Sequence, residues 1–349
     1  MAKSIVGVDI GNGVVRAVEV ADGAKAKPTL LRHAEVPLPD GAVSRGEVLE
    51  PNTVAAALRQ LWSAGGFKTK NVMLGMGNQR VLARDLSVPS MSLERIKESL
   101  PFHVQDMLPV PVAEALLDFY PVSQGESESG PVVHGLLVAA VKEAVLANVR
   151  AAELAGLTPV DVDLIPFALN RVLVTRRGLT GSIALVQIGS NTTTVVISTD
   201  GVPQFVRIIP TGGADLTEAL RGGLEIAPHE AEGLKRSLGL AAQVSSPEEQ
   251  RAVEIIYQSA NELLTSLRNT INYFMNTRAE ARIDGVVLTG GGAALPGLPE
   301  ALAEMTRLQV VTGDPFLGFG LSRALNADEL RVKRSSLAVA LGLTMGRAA

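Results

Sequence analysis

A carboxylate followed by a loop of small residues stands near the start of the chain, in the stretch "GVDIGNGVVRAVEV" (7–20). Asp9 ends an apolar strand, and Gly11, Asn12 and Gly13 follow it before a second apolar strand begins. Asn-Gly is a strong hairpin signal, because both residues tolerate positive φ. The same small residues let backbone amides approach an anion. The stretch predicts a β-hairpin and leaves two hypotheses open, a plain turn or a turn that holds phosphate.

A second copy of this pattern occurs 178 residues later, where "ALVQIGSNTTTVVIS" (184–198) aligns with "VGVDIGNGVVRAVEV" (6–20). Ile10 then meets Ile188, and Gln187 stands in the place of Asp9. Such an internal repeat predicts two related lobes. Their hairpin tips would supply amides and hydroxyls to a polyphosphate from both sides of a cleft. The alternative for the second copy is a polar β-turn rich in strand-forming Thr.

Two further motifs lie in the second half of the chain. In "LTGGGAALPG" (288–297) three glycines follow a strand, and they predict a strand-to-helix turn whose bare backbone lets a flat base lie against it. In "EAEGLKRSLG" (230–239) Glu232 and Lys235 lie one helical turn apart. An exposed pair of this kind contributes only about 0.2–0.5 kcal/mol. A solvated surface pair and a ligand-binding pair are therefore both open.

Composition limits the kind of protein that carries these motifs. The 349 residues are 46% hydrophobic and 3% aromatic, which predicts large aliphatic cores and more than one lobe. There is no Cys and there are 4 His, so disulfides, thiolate nucleophiles and zinc-thiolate sites are excluded. A net charge of −4 argues against nucleic acid as a partner. The N-terminus resembles no leader peptide, and no apolar stretch reaches membrane-spanning length. We therefore expect a cytoplasmic protein with no direct membrane anchor.

The hydrophobic pattern places the motifs on an α/β framework. The clearest helix begins at the capping sequence Ser246-Pro247-Glu248-Glu249 and is predicted to end near Arg278. A helix from Ser92 is predicted to be interrupted at Pro101, and "SQGESESG" (123–130) is predicted to be a solvent loop. The remaining predictions are hairpins at 4–20 and 182–198, strands at 71–76, 80–88, 117–122, 132–141, 159–164 and 202–209, and helices at 52–65, 142–155, 213–238 and from Pro299.

Together the motifs resemble a known superfamily. The two hairpin loops and "LTGGGAALPG" look like the phosphate-1, phosphate-2 and adenosine motifs of actin, sugar kinases and heat-shock chaperones. The stretches "LPVPVAEALLDFYPV", "AGLTPVDVDLIPFALNRVL" and "FVRIIPTGGADLTEAL" are similar to the PilM family of type IV pilus assembly, which resembles the division protein FtsA. The resemblance extends over essentially the whole chain.

The resemblance implies an actin-like (ribonuclease H-like) two-lobed ATPase fold with an FtsA/PilM-type inserted subdomain in the first lobe. Residues 1–84 and 151–181 are then the first lobe, 85–150 the insertion and 182–349 the second lobe, with the C-terminal helix returning to the first. ATP and Mg²⁺ are implied in the cleft, the metal at Asp9 and Gln187. The implied nucleotide-binding residues are Gly11, Asn12, Gly13, Val14, Gly189, Ser190, Asn191, Thr192, Gly213, Glu232, Lys235, Gly290, Gly291 and Gly292.

The family also implies a partner. A groove between the first lobe and residues 85–150 is expected to accept the cytoplasmic N-terminal peptide of a PilN-like inner-membrane protein. This would hold the protein at the inner face of the cytoplasmic membrane. Contacts with a pilus motor ATPase or platform proteins, self-association, and a related secretion system in place of a pilus are left open.

Two departures from an active ATPase pattern stand out. Active members carry Asp at the position of Gln187, where it orients metal-bound water, and Gln cannot serve as a base. The residue before the Pro of "IPFAL" is Ile165, where related enzymes place a carboxylate or Gln. We therefore expect no catalytic residue, ATP binding through backbone amides, and weak or absent hydrolysis. The alternatives are an FtsA-like membrane-associated filament protein and a small-molecule kinase on the same fold.

Overall fold

The computed structural model of the protein describes residues 4–241, 243–278 and 281–346. The first and last three residues, which belong to the termini examined for a leader and an anchor, lie outside this part. Its strands are β1 (Ser4–Gly11), β2 (Val14–Ala21), β3 (Thr29–Pro37), β4 (Val43–Ser44), β5 (Glu47–Val48), β6 (Asn71–Met76), β7 (Val81–Pro89), β8 (Ala115–Ser127), β9 (Gly130–Val141), β10 (Thr158–Leu164), β11 (Ser182–Ile188), β12 (Thr193–Thr199), β13 (Val202–Ile209), β14 (Gly285–Thr289), β15 (Val310–Thr312) and β16 (Gly320–Leu321).

Helices lie between these strands in the alternating order of an α/β protein. They are α1 (Pro51–Gly65), α2 (Leu93–His103), α3 (Lys142–Leu154), α4 (Ile165–Asn170), α5 (Gly213–Leu224), α6 (Pro228–Leu238), α7 (Pro247–Thr277), α8 (Leu298–Thr306) and α9 (Ala327–Leu343). Arg171–Thr175 continues α4 as a π-helical turn. The Ser246 hydroxyl caps α7 by accepting from the Glu249 amide, as the capping sequence predicts.

The first sheet is built on the N-terminal hairpin. Its strand order is β10-β6-β1-β2-β3-β16, with β2 antiparallel to β1 and β6 parallel to it. One face packs on α1 and α3 through Val6, Val8 and Leu58, and the other packs on α9 through Val18 and Leu337. A sheet covered on both faces needs apolar residues on both, which is why β1 and β2 are almost continuously hydrophobic.

The second sheet repeats the first. Its order is β13-β12-β11-β14-β15, again with an antiparallel hairpin at the centre and two parallel strands on one side. Helices α5, α7 and α8 cover one face. On the other face Leu185 and Val196 share a single core with α4 and α9, which therefore lie between the two sheets. The internal repeat in the sequence corresponds to this pair of matching sheets.

A three-stranded sheet, β7-β9-β8, is inserted in the sequence between β6 and β10 of the first sheet. The prediction that 123–130 is a solvent loop is wrong, because β8 runs to Ser127 and β9 begins at Gly130. Polar residues suit a hairpin exposed to water, so their composition could not distinguish strand from loop. The helix predicted to be interrupted at Pro101 in fact continues to His103, because a proline in the last turn removes only one backbone hydrogen bond.

The limits of the predicted subdomain stay a prediction. The three-stranded sheet runs from Val81 to Val141, on either side of α2, and has its own apolar core around Leu100, Phe119 and Leu137. Helix α3, which begins at residue 142, packs against α1 and the first sheet through Ala151 and Ala152. Helix α9 packs on β1, β2 and β6 of the first sheet and against α4.

Candidate functional site: a cleft between the two repeats

One cleft of about 1140 Å³ opens where the tips of the two central hairpins face each other. It is lined by both hairpin loops, the N-terminus of α5, one face of α6 and the glycine turn after β14. All of the residues proposed from the sequence to hold nucleotide or metal line this cleft. They are Asp9, Gly11, Asn12, Gly13, Val14, Gln187, Gly189, Ser190, Asn191, Thr192, Gly213, Glu232, Lys235, Gly290, Gly291 and Gly292.

The first loop joins β1 to β2 through a two-residue turn at Asn12 and Gly13. Gly13 has a φ of 84°, and no atom lies within 4 Å of the position that a Cβ would take. Its conformation, rather than crowding, favours glycine there. The Asn12 Oδ1 atom is buried and has no hydrogen-bond partner. A buried amide oxygen without a partner is costly and marks a place where a bound group would fit.

The second loop is tied to α5. The Gly189 carbonyl accepts from the Gly213 amide at 2.9 Å, and the Ser190 carbonyl accepts from the Ala214 amide at 2.7 Å. These two bonds bring Gly213 to the loop, although the two segments are separated by β12 and β13. Asn191 repeats the feature of the first loop, because its Oδ1 atom is also buried without a partner.

Glu232 and Lys235 form a bonded cluster instead of a solvated pair. Lys235 Nζ donates to the Gly213 carbonyl at 2.9 Å, to Thr217 Oγ1 at 2.7 Å and to Glu232 Oε2 at 2.6 Å. Partial burial by itself would raise the pKa of Glu232, but hydrogen bonds from Lys235, Thr217 and Arg236 together lower it. The cluster therefore fixes α6 against the start of α5 with its carboxylate ionised.

The three glycines after β14 have different roles. Gly290 has a φ of 90°, and a Cβ there would overlap the Ile188 carbonyl at the end of β11. A Cβ on Gly292 would overlap the Ile188 side chain. Gly291 has open space around the Cβ position, so only this glycine presents its bare backbone to the cleft. Two glycines thus permit close packing, while the third keeps space free.

Asp9 has a charged neighbour that the sequence analysis missed. In the hairpin register Asp9 stands directly opposite Arg16, whose Nη1 lies 3.8 Å from Asp9 Oδ2. Burial raises the pKa of the Asp9 carboxyl, and the Arg16 guanidinium offsets part of this rise. A two-residue turn at 12–13 fixes this pairing, so the hairpin prediction itself could have identified Arg16.

Gln187 occupies the equivalent position in the second repeat, in neutral surroundings. It stands opposite Thr194 on β12 and Thr289 on β14. Directly opposed residues share one face of a sheet, so these three polar side chains form one row. The hydroxyls of both threonines are buried without partners.

Further lining residues extend the cleft beyond the predicted set. Ser335 and Ser336 enter it from α9, and Ile165 from the start of α4. The deep end in the second repeat is apolar, and Ala260, Leu263, Leu295 and Leu298 line it. Asp40, in the loop after β3, adds an exposed carboxylate near the first loop. Apart from Ile165, which the "IPFAL" segment identified, no local motif marks these residues, because the folding of distant segments brings them to the cleft.

In the described ranges no three His, Cys, Asp or Glu side chains cluster as they would around a tightly ligated metal ion. A helix of sufficient length and hydrophobicity to cross a membrane is also missing from the described part of the chain.

Two sheets of the same topology, packed around α4 and α9 with a cleft between their hairpin tips, define an actin-like two-lobed protein. The chain belongs to the family of the type IV pilus assembly protein PilM, whose family model matches residues 7–348. The predicted fold class and the predicted family are therefore confirmed.

Comparison with known proteins agrees. The chain is similar to a structure titled PilM-PilN type IV pilus biogenesis complex, with 26% identity, a TM-score of 0.86 and coverage of 98% of this chain and 97% of that one. It is 22% identical to the cell division protein FtsA of Bacillus subtilis over 316 residues, 80% of this chain and 72% of that protein. MreB 5 of Spiroplasma citri, solved bound to AMPPNP, is 12% identical with a TM-score of 0.57 and coverage of 98% and 95%, which indicates a common fold.

Proposed function

We propose that this protein binds ATP with Mg²⁺ in the cleft and serves as a cytoplasmic scaffold of the pilus assembly platform. The proposal rests on one observation, that the predicted nucleotide-binding segments lie together in the folded chain. Four sequence segments chosen for phosphate, base or ribose contacts meet in one cleft, although they lie up to about 280 residues apart. A plain structural role for each motif would not require them to share one cavity.

The residues of the cleft fit a metal-bound nucleotide. The buried oxygens Asn12 Oδ1 and Asn191 Oδ1, one on each side of the cleft, lack partners and would accept from a donor such as metal-bound water, and Gly291 leaves room against the backbone. Asp9 and Gln187 would hold Mg²⁺ through its waters, because this ion retains several of them and needs few protein ligands. When bound, the ion would neutralise phosphate charge. The loop amides would orient the phosphates, and the Lys235 cluster would border the ribose and base.

The same residues favour binding over turnover. Gln187 is neutral and stands between two threonines, and Ile165 is apolar, so neither accepts a proton from water. We propose that ATP acts here as a ligand that fixes the two repeats relative to each other, and that phosphate release is slow.

The proposed partner is the cytoplasmic N-terminal peptide of a PilN-like inner-membrane protein, docked between the first lobe and residues 85–150. Support comes from the similar structure of a PilM-PilN type IV pilus biogenesis complex and from exposed apolar side chains in this region. Phe102 is 79% exposed at the end of α2, and Leu93 and Leu116 are each 42% exposed. Exposed apolar residues that form a contiguous patch mark an interaction site, and aromatic residues within such patches are common anchors. Docking of this kind would keep the protein at the membrane's inner face.

Thermal unfolding tests the nucleotide proposal. Mg-ATP at about 100 times its Kd should stabilise the protein by about 2.7 kcal/mol. Asp9→Ala removes the metal carboxylate and Gly291→Val fills the open space, so both should abolish this gain. Gly222→Val is the matched control, because Gly222 on α5 also has open space at its Cβ and does not line the cleft. Full stabilisation of both cleft variants would reject this cleft as the site.

Peptide titration tests the partner proposal. A fluorescent peptide, copied from the cytoplasmic N-terminus of the membrane protein encoded beside this one, is titrated with wild type and with Phe102→Ala. Loss of an aromatic anchor should weaken binding about tenfold or more. Tyr257→Ala, in an exposed aromatic residue on α7 in the second repeat, should leave the affinity unchanged. Equal affinities for all three proteins would place the partner site elsewhere.

A further inference from the structure

A row of alternating charges crosses the first sheet at the level of the cleft. Asp9 on β1 stands opposite Arg16 on β2, and Arg16 stands opposite Glu35 on β3. Arg16 Nη1 lies 3.8 Å from Asp9 Oδ2, and Arg16 Nε lies 3.4 Å from Glu35 Oε2. The guanidinium is therefore held between two carboxylates, one in the cleft and one outside it.

The guanidinium of Arg16 has hydrogen-bond donors that no protein acceptor fully uses. Its Nε atom is buried and has no hydrogen-bond partner, and both carboxylate contacts are longer than a charge-assisted hydrogen bond, which is about 2.7–2.9 Å. The side chain lines the cleft and is 22% exposed. A guanidinium that lies between two carboxylates, without a short hydrogen bond to either, can still bind an anionic ligand.

Glu35 is in turn held by the C-terminal helix. Lys333 Nζ on α9 lies 3.1 Å from Glu35 Oε1 and 3.0 Å from Glu329 Oε1. Lys333 and Arg16 therefore share the charge of Glu35, and the Lys333 contact comes from a helix that packs against both sheets. The attraction of Glu35 for Arg16 depends on how strongly Lys333 competes for it.

We propose that Glu35 is a positioning residue for the cleft: it draws Arg16 away from Asp9, so that Asp9 remains free for a metal ion and Arg16 for phosphate. This inference rests on the proposed nucleotide function. Without Glu35, Arg16 would close on Asp9 and neutralise it. Nucleotide binding would then depend less on Mg²⁺, because the ion would have to displace the guanidinium. Lys333 acts in the opposite direction, because its removal leaves the full charge of Glu35 to attract Arg16.

The experiment measures the Kd of fluorescent ATP in Mg²⁺ and in EDTA. The readout is the Kd in EDTA divided by the Kd in Mg²⁺, which increases with the dependence of binding on the ion. Glu35→Gln should lower the ratio about five- to tenfold, as expected for a charge pair at about 4 Å whose interaction is screened almost as strongly as in bulk water. Lys333→Gln should leave the ratio at the wild-type value or raise it. Glu35→Asp, which keeps the charge, should restore most of the ratio. Glu47→Gln is the control, because it breaks another half-exposed carboxylate–arginine pair that does not line the cleft.

A double-mutant cycle tests whether Glu35 acts through Arg16. In an Arg16→Gln background, Glu35→Gln should have no further effect on the ratio. The ligand-free melting temperatures of the same four proteins should also be non-additive, which detects the coupling without nucleotide. Additive effects in both measurements overturn the inference and leave the proposed function intact. A wild-type protein that binds no ATP overturns both the inference and the proposed function. Unchanged binding of phosphate-free adenosine by the Glu35→Gln protein confirms that this variant retains the fold.

Discussion

The two repeats share the same order of five strands, to which β16 adds a sixth in the first sheet, and they differ in the row of side chains beside the cleft. In the first repeat the row is Asp9–Arg16–Glu35, and in the second it is Gln187–Thr194–Ile208. One row carries three charges and the other none. A common backbone therefore supports different chemistry on the two sides, and we expect metal and phosphate charge to be met mainly from the first.

The repeats also differ in how α9 packs on them. Position 7 of the first repeat is Gly, and the equivalent position of the second is Leu185, which is 1% exposed. A Cβ on Gly7 would overlap the Ala340 carbonyl of α9. The C-terminal helix thus lies directly against the first sheet, and the second repeat fills the corresponding space with a side chain.

The largest effect should come from making the first repeat like the second at this position. Gly7→Leu forces a bulky side chain into the backbone of α9, and we expect it to cost about 3 kcal/mol or more. Urea denaturation should give this value. Gly222→Leu, at an open position on α5, is the control. A stable Gly7→Leu protein would mean that α9 does not pack against β1.

The second largest effect should come from removing a charge from the Asp9–Arg16–Glu35 row of the first repeat. Burial raises the pKa of Asp9 in the folded protein, so the folded state binds this proton more tightly than the unfolded chain does. Stability then falls as pH rises above about 4. Asp9→Asn should therefore stabilise the ligand-free protein near neutral pH and flatten this slope, while it abolishes the gain from Mg-ATP. Melting temperatures from pH 4 to 8 will check it, and a less stable Asp9→Asn protein would contradict the sign.

The converse change places a charge in the second row. Gln187→Asp introduces a carboxylate between two threonines whose buried hydroxyls have no partners and can donate to it. We expect a cost of about 1–2 kcal/mol for burying the charge, together with faster phosphate release from ATP. Gln187→Asn, which stays neutral, is the control for both measurements. Equal phosphate release by the two variants would mean that the missing carboxylate does not limit turnover.

The smallest effect on stability should come from the contact at β13, the edge strand of the second sheet, where the second repeat meets the three-stranded sheet. Arg278, at the end of α7, donates to Asp85 on β7 at 2.8 Å and to the Gln204 carbonyl on β13 at 2.8 Å, so it joins the three-stranded sheet to the second repeat. Asp85 is 67% exposed, and Asp85→Asn should cost at most about 1 kcal/mol. Arg278→Ala should cost more, because it also removes the hydrogen bond to the Gln204 carbonyl and the contact with the Phe274 ring. Equal costs would show that only the ion pair matters.

Much of the fold could be predicted because its signals are local. The strands of both hairpins, the limits of α1 and α7 and the turn at Asn12-Gly13 follow from alternation, caps and turn residues. The prediction failed at 123–130, where polar composition concealed a strand, and at Pro101, where proline did not end the helix at once. In both cases neighbouring elements decided the outcome, and local composition did not.

The sequence by itself determined the repeat, its offset and the small residues of the loops, because turns and strand periods depend on residues close in the chain. Tertiary structure alone decided that Glu35 reaches Arg16 from β3, that Lys333 reaches Glu35 from α9, and that Lys235 bonds to the start of α5. These contacts join segments that are distant in the chain. Their charges and hydrogen bonds acquire strength only where packing excludes water and fixes the distances.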